Sequence, residues 1–133
     1  MIDQGLFEKG MKIRREVMGD ARVDASMSDL DDFNRDFMEQ FITEFGWGAV
    51  WGREGLTRKQ RSLLNLGMLA ALGRMSEFEG HFRGALTNGL SQEELREALL
   101  QITLYCGAPA GMEAFRTAKK VLAEEAENSK ETQ

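Results

Sequence analysis

The chain has 133 residues, 42% of them apolar and 29% charged, with a net charge of −5; that is enough to bury a core without disulfides or a structural metal, and too balanced for a disordered or membrane protein. The basic residues are dispersed, which excludes the clustered Lys and Arg surface that nonspecific nucleic-acid binding needs. One cysteine and one histidine make neither an internal disulfide nor a four-ligand zinc site from those residue types, so a reducing cytoplasm is the expected compartment.

The N-terminal MIDQGLFEKGMKIRR lacks a continuous apolar stretch, and no run approaches the roughly 18 apolar residues of a spanning helix, so neither export nor membrane insertion is expected. A single proline and few Val, Ile and Tyr predict an all-α chain: one domain over residues 1–127, a bundle of about six helices, and a frayed polar tail at 128–133. The first helix is predicted over Asp3 to Met18, where Leu6, Phe7, Met11, Ile13 and Val17 recur near the helical period and Gly19 follows the end. GDARVDAS then reads as a loop. Ser28 is the predicted cap of a second helix, striped by Leu30, Phe33, Phe37, Met38, Phe41 and Ile42 and ending near Glu44.

The next stretch, EFGWGAVWGREG, combines glycines with both tryptophans, a composition that suits an ordered turn. Thr57 and Gln60 form a capping-box pattern opening RKQRSLLNLGMLAALGR, a helix apolar enough in its second half to be central and buried, with Gly73 closing it. Ser76 opens a helix through His81 to Asn88, and Gly89 stands at its C-terminal cap. Ser91 and Glu94 repeat the capping box before a helix to Cys106, which Gly107 ends. Pro109 then starts a last helix carrying Met112, Phe115, Ala118, Val121 and Leu122.

Chemistry-bearing residues concentrate between Glu77 and Phe115. Glu77 and His81 are four apart, so they share a helix face; the carboxylate can tune the imidazole, or the two can form an ordinary surface pair. Cys106, near a helix C-terminus where carbonyl ends disfavour a thiolate, reads first as a small buried hydrophobe. Trp47, Trp51 and Arg53 sit in a glycine-punctuated connection that either lines a site or anchors the connection on the core.

Four blocks, FITE-x-x-WG-x-x-W-x-R, RSLL-x-L-x-ML-AALGR, H-x-R-x-AL-x-NG and YCG-x-PA, stand in that order over nearly the whole chain, and in them the sequence resembles the carboxymuconolactone decarboxylase family. The resemblance implies an all-helical, alkylhydroperoxidase-like protein assembling as a homo-oligomer, usually a hexamer. Its implied activity is removal of carbon dioxide from a γ-carboxylated unsaturated lactone to form the enol lactone of 3-oxoadipate, a step of aromatic breakdown through the β-ketoadipate pathway. The alternative is a member that binds or acts on another small carboxylated ligand. The superfamily's disulfide-reductase branch carries a Cys-x-x-Cys pair before the histidine; RMSEFEGH has no cysteine, with Glu77 where the second would be, which excludes that route.

For the implied reaction the lactone is its own electron sink, so no cofactor and no metal are expected. The protein must stabilise an oxyanion and deliver a proton. His81 is the candidate acid and donor, Glu77 its orienting partner, and Glu44 a second proton carrier if burial raises its pKa. Arg53 is the first candidate for the carboxylate the product keeps, with Arg74 and Arg83 behind it. Trp47 and Trp51 would wall the leaving carboxylate from water, and Cys106 with Pro109 would shape the wall behind His81, where Cys106 can touch substrate.

Overall fold

In the computed structural model, which describes residues 2–131, the Asp3 carboxylate accepts the Leu6 N–H at 3.0 Å and so starts helix α1 (Gln4–Met18). Helix α2 (Asp20–Ser28) follows Gly19, whose φ of 88° turns the chain. The expected loop at GDARVDAS is therefore corrected to a helix. Its polar residues masked an anchor, for Val23 is fully buried and Arg15 bonds both Asp20 at 3.1 Å and Asp24 at 2.8 Å.

Ser28 ends α2 instead of capping the next helix; its hydroxyl donates back to the Ala25 carbonyl. Phe37, Met38, Phe41 and Ile42 of the expected stripe and Trp47 of the tryptophan segment lie in one 14-residue π-helix, Phe37–Val50, whereas Leu30 and Phe33 precede it outside any helix and Trp51 follows it. The turn expected at EFGWGAVWGREG is thus confined to residues 51–57. Gly10 and Gly48 serve close packing, not chain reversal. A Cβ at Gly10 of α1 would fall onto the Thr43 carbonyl, and one at Gly48 would lie 2.5 Å from the Leu6 carbonyl, so the two helices meet backbone to backbone. Ile13, Val17 and Trp47 bury beside this crossing.

Gly10→Ala is accordingly expected to destabilise the protein by about 1–3 kcal/mol in denaturant unfolding, as overpacking does. Gly5→Ala, at an exposed position whose nearest neighbour atom would be 3.6 Å away, is expected to raise stability by up to about 1 kcal/mol. Equal effects at the two positions would contradict the close crossing.

The remaining helices are α3 (Arg58–Leu72), α4 (Met75–Thr87), α5 (Gln92–Cys106) and α6 (Ala108–Glu131), making seven helices among the described residues where about six are predicted. Both capping boxes form: Gln60 N–H donates to Thr57 Oγ1 at 3.1 Å and Glu94 N–H to Ser91 Oγ at 3.0 Å. Gly73, Gly89 and Gly107 follow their helices with positive φ, as predicted. Helix α6 continues through Glu131, so residues 128–131 of the expected frayed tail are helical; residues 132–133 lie outside the described range.

Two compact units divide the chain, one ending at Arg61 and the other beginning at Ser62. The second has its own core, in which Leu66, Phe78, Phe82, Leu95, Leu99 and Val121 are at most 1% exposed. The buried second half expected of α3 holds only for one face: Leu66 and Ala70 are buried, whereas Met68 and Leu72 are exposed. At the α5–α6 corner Gly111 leaves no room for a Cβ against the Thr103 side chain. Among the described residues no helix is long and apolar enough to cross a membrane.

Candidate active site

Helix α4 carries the histidine because its apolar residues recur one turn apart. Phe78, Phe82 and Ala85 bury on one side, and His81 stands next to that face, half-buried. Its Nδ1 lies 3.4 Å from the Asn65 Nδ2 of α3. An amide N–H can only donate, so in this orientation Nδ1 accepts and the neutral ring carries its proton on Nε2. Sequence reading missed Asn65. Its signal was present, since Asn65 is the polar residue in the middle of LLNLGMLAAL.

Glu77 is exposed one turn before His81, and Arg74 is exposed at the start of α4. Arg83 has other partners: it donates to Glu125 Oε1 at 3.1 Å and pairs with Glu124 on α6. Partial burial opposes its charge, but the Glu124 and Glu125 bonds outweigh this and raise the guanidinium above its ordinary pKa. Beside it Lys120 Nζ meets Glu79 at 2.7 Å. Arg83 therefore ties α4 to α6. Cys106 departs from the buried hydrophobe expected of it; it is exposed at the end of α5. With Pro109, Met112, Leu72 and Arg116 it lines an open cleft of about 580 Å³, which His81 does not line.

The other candidates belong to the first unit. Trp47 is buried and stacks on Trp51 with ring centroids 4.7 Å apart. Glu44, half-buried one turn earlier, accepts the Asp3 backbone N–H at 3.0 Å. Arg53 is exposed beyond the π-helix and shares with Trp51 the lining of a cavity of about 420 Å³. Within the first unit the stacked tryptophans and the shared cavity bring Trp47, Trp51 and Arg53 together; within the second, His81 faces Asn65. Among the described residues no three His, Cys, Asp or Glu side chains gather as metal ligands would.

From the π-helix into α6, residues 37–120 match the model of the "Carboxymuconolactone decarboxylase family". The chain belongs to that family. Every candidate named above from Glu44 to Cys106 lies inside the matched region, whereas α1 and α2 precede it. A 4-carboxymuconolactone decarboxylase of Acinetobacter baylyi is 42% identical over 91% of this chain and 90% of its own length. A nitrosuccinic acid decarboxylase of Metarhizium robertsii is also 42% identical, over 88% of this chain and 81% of its own. A 4-carboxymuconolactone decarboxylase of Pseudomonas putida is 44% identical over 36% of this chain and 98% of its own length.

Proposed function

We propose that this protein is a carboxy-lyase that converts 4-carboxymuconolactone to 3-oxoadipate enol lactone without a cofactor, acting in the cytoplasm. The observation that carries this reading is the 42% identity along 91% of the chain to a decarboxylase of that name.

The chemistry asks little of the protein beyond placed polar groups. The bond between the γ carbon and its carboxylate breaks, carbon dioxide leaves, and the electron pair passes through the ring double bond onto the lactone carbonyl oxygen. A proton added at the α carbon then completes the enol lactone. His81 is the group for the oxygen and the proton: with Nδ1 facing the Asn65 amide, its Nε2–H donates to the developing oxyanion, and a donor aimed at growing charge lowers the barrier most. Glu77 and Glu44 remain the orienting and proton-carrying candidates. Arg53 remains the first candidate for the acetate arm that the product keeps, since Arg83 is engaged with Glu124 and Glu125. An arginine on the departing carboxylate would stabilise the ground state and slow its loss. Trp47 and Trp51 remain the candidates for the apolar wall.

Assembly as a homo-oligomer, with a hexamer as the expected size, belongs to the same proposal. Its support is apolar surface: Phe37, Phe41 and Phe45 are each more than half exposed at four-residue spacing, and Leu104 and Tyr105 are more than 70% exposed.

Nitrosuccinic acid defines a second reading, because the relative of that name is equally similar. It too is a diacid with an electron sink of its own, the nitro group, beside the carboxylate that can leave. Parallel assays of carbon dioxide release from both substrates, with metal chelator present, separate the two. Chelator-resistant turnover of the lactone with kcat/KM at least tenfold above nitrosuccinate is expected; the reverse ratio would transfer the assignment, and no release from either would remove it.

A further inference from the structure

We propose that the cavity beside α1 in the first unit is a binding site for the carboxylates of a small dicarboxylic acid, built from Lys9, Lys12, Arg53 and Arg58 around the face of Trp51. This rests on the reading above that the protein acts on small carboxylated acids, and extends it to residues of α1, which lie before the region that matches the family.

Charge is the first argument. The protein carries a net charge of −5, which by itself repels a dianion. Yet the cavity is lined by those four cations against only two carboxylates, Glu16 and Glu54. A positive hollow in an acidic molecule focuses the field where an anionic ligand would enter. Its volume of about 420 Å³ falls in the range of small-molecule sites, about 300–1,000 Å³.

Three of the cations have partners within the cavity. Glu16 bonds Arg58 Nη2 at 2.8 Å and lies 4.0 Å from Lys12 Nζ, so one carboxylate positions two cations and leaves the local balance positive. Lys9 Nζ donates to the Gly52 carbonyl at 3.4 Å. A Cβ at Gly52 would fall onto the Gly48 carbonyl and lie 2.7 Å from Lys9 Cε, so the glycine keeps this part of the connection close to the π-helix and the lysine. Trp51, stacked on the buried Trp47, lines the same cavity and gives it an apolar surface. A flat or short diacid needs such a combination: cations for its ends and a dry surface for its carbon frame.

The test is direct binding of succinate to the purified full chain, read by calorimetry and by tryptophan fluorescence. Succinate has neither lactone nor nitro group, so binding is measured independently of turnover. Arg53→Ala and Lys12→Ala, both at exposed positions, are expected each to weaken succinate at least tenfold, and to raise KM for the lactone more than they lower kcat. Lys119→Ala on α6, an equal charge change in the second unit, is expected to leave binding unaltered. Raising ionic strength from about 0.01 M to 0.1 M, which shortens screening from about 30 Å to 10 Å, loosens binding.

Inorganic phosphate binding as tightly as succinate, or equal losses in all three variants, would overturn the dicarboxylate site. So would wild-type protein that turns over the lactone while Arg53→Ala and Lys12→Ala bind succinate normally. Succinate binding that depends on Arg53 and Lys12, in a protein inactive on both substrates, would remove the proposed reaction and leave this site standing.

Discussion

His81→Ala is expected to lower lactone turnover at least 100-fold with little change in KM, inside the range of about 10²–10⁴ for loss of a general acid–base group. The expectation follows from position and chemistry together. His81 is the one side chain whose unperturbed pKa lies near neutrality, and the Asn65 amide at its Nδ1 leaves the neutral ring's proton on Nε2. The lost interaction is one made to charge that exists only in the transition state, so kcat should fall and substrate affinity should not. Cys106→Ala, measured in parallel, is expected to retain substantial activity, because Cys106 lines a cleft that His81 does not line. Losses of the same size in both variants would sink the assignment to His81, and an unimpaired His81→Ala would keep an enzyme but discard its proposed donor.

Phe82→Ala should have the largest effect on stability. Phe82 is 1% exposed and its ring centroid lies 6.2 Å from that of Phe78. Truncating such a side chain removes its transfer free energy and leaves a cavity, a cost of about 3–5 kcal/mol. Against a total of roughly 5–15 kcal/mol for a folded protein, that is a large fraction. A fall in Tm of roughly 10–20 °C should accompany it. Chemical denaturation and calorimetry read this out, with exposed Glu97→Ala as a control expected within about 0.5 kcal/mol of wild type. A loss below 1 kcal/mol at Phe82 would mean that α4 is not packed as described.

The existence of every helix but α2 was legible in the chain, and so were most helix ends. Thr57 with Gln60 and Ser91 with Glu94 marked two starts, and Gly73, Gly89 and Gly107 marked three ends, because capping chemistry and positive φ are local properties of a few adjacent residues. Four motif blocks also sufficed to indicate the family. The misreadings share a cause. GDARVDAS looked like a loop because its polar residues outnumber its one anchor, yet Val23 is completely buried. The glycines of EFGWGAV looked like turn residues, but Gly48 is buried within a helix against Leu6.

The candidate site divides along the same line. Residue types sufficed to nominate His81 as acid and Arg53 as carboxylate partner, since protonation range and donor geometry belong to the side chain itself. Partnership does not. That Arg83 is engaged by Glu124 and Glu125, that Asn65 faces His81, and that Lys9 and Lys12 share a cavity with Arg53 all depend on residues 16 to 44 positions apart in the chain. Such contacts are decided by which helix faces bury together, and burial is a property of the packed whole, so only the tertiary structure could assign these residues their partners.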